Sequence, residues 1–290
     1  MDESSVDEAV ASGRAFADLS AWRKVALAGS DAVAWLNDLA SADIADLAPG
    51  AAKRSLLLSP TGQIRAEFTI AKTADEILLL QDPHQPSGID ELLAPYVLSS
   101  DVRLADRSGE LALFAFPHRG EPLGMPETTA TAPSCTGPGL DLHAPASSRE
   151  AIERALLGSF ARLGLDDLDR YRIAAGIPRF GVDGREEDLP EEGGFDEAVS
   201  YEKGCFLGQE AVAKVRNLGH PRRLVVHLAA DDPVSAGEPI EVDGESVGEI
   251  TSASERNRSW WILARVNWAR REGPFRTPHG VRLTPVPHRS

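Results

Sequence analysis

The stretch "VSYEKGCFLGQEAVAKVRNLG", residues 199–219, brings a thiol, an ammonium and a carboxylate into one short segment. Cys205 is one of only two cysteines and stands just ahead of "GQEAVAKVRNLG". That spacing predicts a helix starting near Gly208 and ending with Gly219 as a left-handed cap. A thiol ahead of the start would feel the positive helix end, and Lys203, folded back, would add an ammonium. Both favour the thiolate. Gly204 and Gly208 would let the backbone turn tightly or approach a ligand closely. Spacing alone leaves two readings of Cys205 open, a reactive thiol and a small buried hydrophobe in a loop. Glu210 suits the first turn of a helix whether or not it also touches a ligand.

Those residues need a scaffold, and 290 residues exceed what one small core usually requires, so two or more packed units are expected. Hydrophobic content of 42% and charged content of 26% are those of a globular protein. The net charge of −15 disfavours a broad surface for nucleic acid or anionic membrane. The opening "MDESSVDEAVASGRAFADLS" has no apolar core and is not read as a secretory signal. No apolar run is long enough to cross a bilayer. A reducing cytoplasm is the expected compartment, with Cys135 and Cys205 free. No Cys-x-x-Cys or Cys/His cluster offers a metal site.

In "SDAVAWLNDLASADIADLAPG", Ser30 is an N-cap candidate, Ala32, Leu36 and Leu39 share a helical face, and Pro49-Gly50 stops the helix. A strand meander follows over residues 51–82, turning at Pro60-Thr61-Gly62. Ile64, Ala66, Phe68 and Ile70 alternate there with Gln63, Arg65, Glu67 and Thr69. A helix broken near Pro95 and strands in "DVRLADRS" and "ELALFAFP" come next. Residues 117–148, rich in Pro, Gly, Thr and Ser, read as a surface connection with at most short strands, and Cys135 within it as an incidental thiol.

Ser147 and Glu150 have capping-box spacing for a helix with Ile152, Leu156, Phe160 and Leu163 on one side. A second helix, "DDLDRYRIAAG", starts on an aspartate cap and ends at Gly176. Residues 221–290 read as a small β-barrel or sandwich, with Asp243-Gly244 as a hairpin turn and one ring of Trp260-Trp261 facing inward.

"KGCFLGQE" resembles the K-G-C-Y/F-x-G-Q-E signature of the YgfZ-type folate-binding proteins, relatives of the glycine-cleavage aminomethyltransferase (T-protein). "LAGSDAVAWLNDLASADIADLAPG", "LLLSPTGQIRAEFTI", "YRIAAGIPRFGVD", "SVGEITSA" and "WWILARV" are similar, in order, to further segments of that superfamily. The likeness runs from about residue 25 to 290, outside the Pro-rich connection. It implies an α+β fold: split, mixed α/β folate-binding domains around a central channel over residues 1–220, with 1–24 an acidic segment, then a C-terminal antiparallel β-barrel over 221–290.

The resemblance further implies tetrahydrofolate or a one-carbon derivative as cofactor, and a role supporting assembly or repair of iron–sulfur clusters in client enzymes. Cys205 would be the functional thiol, with Lys203 beside it. Tyr171, Arg172, Gly204, Phe206, Gly208, Gln209, Glu210, Arg222 and Arg223 are the folate-binding candidates. Tyr171 reads equally as a core residue, and Arg222-Arg223, as arginines ahead of a strand, read more often as simply solvated. Implied partners are folate and iron–sulfur assembly proteins or clients, with no membrane and a monomeric chain.

Two departures separate this chain from true aminomethyltransferases. Arg65-Ala66 stand where the transferase has an aspartate pair, one of them credited with catalysis, and Ala174 stands in place of its pterin-reading glutamate. A tetrahydrofolate-dependent aminomethyl- or methyltransferase is therefore the alternative reading. A tRNA-modification factor, acting directly or through cluster-dependent enzymes, is the third, although the acidic balance sits badly with direct RNA binding.

Overall fold

A computed structural model describes residues 3–119, 130–132, 134 and 136–287. Cys135 lies outside them. The chain forms two compact units: Met1–Leu58, Arg65–Leu168 and Glu197–Leu207 make the first, and Ser59–Ile64, Asp169–Asp196 and Gly208–Ser290 the second.

The chain begins with α1 (Glu3–Ala11), β1 (Ala15–Asp18), β2 (Arg23–Ala28), α2 (Ala32–Leu39), β3 (Ala52–Leu58), β4 (Ile64–Lys72), β5 (Ile77–Gln81), α3 (Ile89–Leu93) and β6 (Arg103–Asp106). It continues with β7 (Leu111–Pro117), β8 (Ala130–Ala132), β9 (Gly139–Pro145), α4 (Arg149–Leu156), β10 (Ala161–Leu163), α5 (Leu165–Ala174), α6 (Pro190–Gly193) and α7 (Gln209–Leu218). The strands of the first unit form two five-stranded sheets, ordered β3-β4-β5-β2-β6 and β10-β1-β7-β9-β8.

The first sheet follows from the period-two pattern read in the sequence. Ile64, Ala66, Phe68 and Ile70 are all buried. Thr69, expected outward, is buried as well. Phe68 and Ile70 join Trp35, Leu36 and Leu39 of α2 and Ile89 and Leu93 of α3 in one core. Helix α2 ends at Leu39, well before Pro49. Ser30 is not its N-cap: the hydroxyl donates to Asp101 at 3.0 Å, Asp31 takes the cap position, and the Asp31 carboxylate accepts from the Asp101 N–H at 2.8 Å.

The second sheet corrects the reading of 117–148 as a connection. β9 pairs with β7 along its whole length, Leu111 opposite Pro145 through Pro117 opposite Gly139. Pro and Gly at its margins hid an alternating run whose Leu142 packs with Phe16, Phe114, Phe116 and Leu156. Leu163 is not on the α4 face. The chain leaves that helix after Leu156, and Leu163 sits in β10, parallel to β1. The Ser148 N-cap makes no side-chain capping bond, so the Ser147–Glu150 box does not form.

The second unit holds β11 (Arg223–Ala230), β12 (Pro239–Val242), β13 (Glu245–Arg256), β14 (Ser259–Asn267), β15 (Phe275–Arg276) and β16 (Arg282–Pro285). They close into an antiparallel barrel, ordered β11-β14-β13-β12-β15-β16. Closure gives every strand a neighbour on both sides. Leu228, Ile240, Ile250, Ile262, Val266, Phe275 and Leu283 fill it. Asp243 and Gly244, with φ of 54° and 82°, form the expected hairpin turn. Trp260 packs on the barrel core, and Trp261 tilts against His227. The fold class is thus mixed α/β followed by a C-terminal closed barrel. Among the described residues no helix is long and apolar enough to cross a membrane.

Candidate functional site

The Cys205 loop is built on the C-terminal end of α2, where the last carbonyls of a helix have no partner within it. Lys203 supplies one: its ammonium donates to the carbonyls of Asn37, Ala40 and Ala42, the last two at 2.9 Å. All three ammonium donors are then spent, so Lys203 caps the helix end rather than folding back on Cys205. Burial lowers its pKa to about 8, against the opposing pull of Asp43 and Asp38. The ammonium also lies 5.2 Å from the centre of the buried Phe206 ring.

Backbone bonds flank this clamp on both sides. The Ser200 N–H donates to Ser41 O at 2.9 Å, and the Leu207 N–H to Asp38 O at 3.0 Å. The Ser41 hydroxyl donates to Ala198 O at 2.6 Å and accepts from the Leu56 N–H. Leu207 packs against the apolar core of the same unit. Between these anchors Cys205 is exposed and free, which overturns its reading as a small buried hydrophobe. A Cβ on Gly204 would meet nothing within 4 Å among the described residues, so none of them closes that side of the loop.

Gly208 ends the loop with φ +82°, a left-handed N-cap that glycine adopts without strain, and α7 follows. Glu210 is exposed in the first turn beside the half-buried Gln209. At the far end Gly219 is extended, φ −143°, rather than left-handed, because the chain runs straight on toward β11.

In the second unit Arg172 is a buried hub. Its guanidinium donates to Asp169 at 2.6 Å, Asp183 at 2.7 Å, Ile177 O at 3.2 Å and the Ser252 hydroxyl at 3.0 Å. Tyr171 is buried, and burial raises the phenol pKa despite the pull of Arg256, which keeps it neutral. Arg222 forks onto the buried Glu192 at 3.1 and 3.3 Å. Burial alone would raise the Glu192 carboxyl, but hydrogen bonds from Arg222 and the Leu189 N–H hold it below the ordinary value. Arg223 begins β11, opposite Asn267.

The candidates therefore fall into separate groups. Lys203, Gly204, Cys205 and Phe206 share one clamped loop, Gly208, Gln209 and Glu210 open α7, Tyr171 and Arg172 sit on α5, and Arg222 and Arg223 lie at the barrel.

Sequence reasoning missed most of the buried charge. Asp183 accepts from Arg172, Thr251 and Ser252, and Asp188 is paired with Arg265 in the barrel wall. In the first unit Lys24 is fully buried and donates to the carbonyls of Ser20 and Trp22 at 2.7 Å each. Burial lowers its pKa to about 8, against attraction from Asp106 and Asp18. His143 on β9 is buried, neither ring nitrogen has a hydrogen-bond partner among the described residues, and burial, helped by Lys24, holds its pKa near 4. The available signal was a lone charge inside an apolar strand, as in "ILARVN" or "RKVALA", since such residues are seldom buried unless partnered. Among the described residues no group of three or more His, Cys, Asp or Glu is placed to hold a metal.

Comparison with known proteins adds what the chain is similar to. Residues 4–116 match the family described as the GCVT N-terminal domain. The chain is 27% identical over 266 residues to an aminomethyltransferase of Thermosynechococcus vestitus, covering 82% of this chain and 72% of the relative. It is 25% identical over 270 residues to an uncharacterized protein of Haemophilus influenzae, covering 87% and 89% of the two chains. In three dimensions it is similar to the glycine cleavage system aminomethyltransferase T from Bartonella henselae, with a TM-score of 0.80, 19% identity, and coverage of 96% of this chain and 88% of that one. Residues 4–116 thus match the GCVT N-terminal domain, and the chain has the mixed α/β fold with a C-terminal barrel of that aminomethyltransferase.

Proposed function

We propose that this protein is a YgfZ-type, folate-binding accessory factor that supports assembly or repair of iron–sulfur clusters in client enzymes, with Cys205 as its working thiol. The observation that carries the reading is the loop itself: an exposed thiol fixed by Lys203, Phe206 and flanking backbone bonds. Such a pedestal presents sulfur to another molecule without burying it. The partners that follow are folate and iron–sulfur assembly proteins or their clients, acting with a monomeric chain in the cytoplasm.

The residues present fit a folate in part. A pterin edge offers amide-like donors and acceptors, and Glu210 and Gln209 bring a carboxylate and an amide to the start of α7. The open side of Gly204 leaves backbone accessible to a flat ring. Arg172 fits less well, because its donors already serve the protein. Tetrahydrofolate would supply one-carbon or redox-active pterin chemistry when bound.

An anaerobic calorimetric titration with tetrahydrofolate tests the reading. Saturable binding at micromolar levels is expected; no binding sinks the folate half and leaves only the thiol loop.

A second reading, a tetrahydrofolate-dependent aminomethyltransferase, is favoured by the named relatives. Against it stand exposed Arg65 and buried Ala66 in the places of the transferase aspartates. Formation of methylene-tetrahydrofolate from an aminomethyl-loaded lipoyl carrier would favour the transferase over the accessory role.

A further inference from the structure

A groove of about 380 Å³ lies on the barrel, lined in part by Arg222, Arg223, Gly248, Glu249, Arg265 and Asn267. Strand register explains the grouping: Arg223 is opposite Asn267, and Glu249 is opposite Arg265, across neighbouring ladders. Gly248 keeps the floor low. A Cβ there would fall 2.0 Å from Arg265 O, so only glycine lets β13 and β14 meet at this point.

The charges around the groove are matched almost one for one. Arg265 is paired with the buried Asp188, Arg222 with the buried Glu192, and Glu249 with Arg185 at 2.6 Å. Exposed Glu187 adds only a through-solvent attraction to Arg222. Arg223 is the surplus: among the described residues its guanidinium has neither an ion-pair nor a hydrogen-bond partner. Asn267 spends its amide oxygen on the Ala269 N–H at 3.0 Å, which leaves its NH2 to donate.

The unspent groups are therefore donors, one of them cationic, while the carboxylates are already engaged. That combination selects an acceptor of negative charge, and the guanidinium fork suits two oxygens on one centre. We propose that this groove is an oxyanion site, gripping a carboxylate or phosphate group of a small ligand through Arg223 and Asn267. Arg222 and Arg223 are also folate-binding candidates, but gripping an oxyanion here needs neither a pterin nor Cys205, so the site is testable without folate.

The test is calorimetric titration of the full chain with inorganic phosphate and, separately, with glutarate. Saturable single-site binding of at least one is expected. Phosphate alone would identify a phosphate site and glutarate alone a carboxylate site. Arg223→Ala should weaken the interaction about tenfold or more. Arg276→Ala, an exposed barrel arginine on β15 outside the groove lining, should leave it unchanged. Thermal unfolding of Arg223→Ala should match the parent, because no protein partner is lost. Absence of saturation by both probes, or equal binding by Arg223→Ala, overturns the site. Failure of tetrahydrofolate to bind while either probe binds would touch only the folate reading.

Discussion

Half-buried Lys203 and fully buried Lys24 rest against carbonyl oxygens, whereas Arg172 and Arg265 are buried against carboxylates. The lysines cap backbone and keep pKa values near 8, so they are cations that burial has made reluctant. The arginines are neutralised by Asp183 and Asp188 and tie the 169–196 segment to the barrel within one unit. The first arrangement fixes a loop while sparing its thiol, and the second fixes a scaffold. The difference explains why Lys203, though two residues from Cys205, is a positioning group rather than its chemical partner.

The largest expected effect comes from breaking a carboxylate-paired cation. Arg265→Met should destabilise the protein by about 3–5 kcal/mol, because it strands Asp188 as a buried charge. Urea unfolding of Arg265→Met and of Arg265→Met/Asp188→Leu checks this, and the double variant should recover much of the loss. Equal losses would mean that the pair is ordinary packing.

The carbonyl-paired and unpaired groups should instead reveal themselves through pH. Below pH 6.5 the unfolded chain protonates His143 while the native state resists until about pH 4. The unfolded state then binds more protons, so stability falls as pH drops through that window, by roughly 3 kcal/mol for this group. His143→Leu should flatten that slope in denaturant melts taken from pH 7 to 4. Lys24 runs the same way at higher pH: between about 8 and 10.5 the native state sheds a proton the unfolded chain keeps, so stability rises with pH.

Lys203→Met should cost less, about 1–3 kcal/mol, for the carbonyls left at the end of α2. The more telling readout is faster amide exchange at Ser200 and Leu207, whose N–H groups anchor the loop. Unchanged exchange there would separate the lysine from loop order. Smallest of all, Gly204→Ala should change stability by less than about 0.5 kcal/mol, because its Cβ would project into open space. Its effect, if the folate reading holds, appears in tetrahydrofolate affinity.

The same contrast shows what the sequence could reveal. Period-two runs such as Ile64–Ile70 and the Asp243-Gly244 turn were legible because local pattern decides them. So was the Cys205 loop, as a motif ahead of a glycine-started helix. The Lys203 contacts were not, since its carbonyl partners lie more than 160 residues away in the chain. Arg265 and Asp188 are likewise paired only by the tertiary fold. β9 was obscured because Pro138 and Pro145 bracket it with the features of a loop.

The most direct test is Cys205→Ala, expressed in cells that lack their own copy, with the activity of an iron–sulfur client enzyme measured. Because the thiol is exposed, the variant should fold and bind tetrahydrofolate as the parent does. The account predicts that client activity nonetheless falls to the level of cells without the protein. Normal client activity would contradict it.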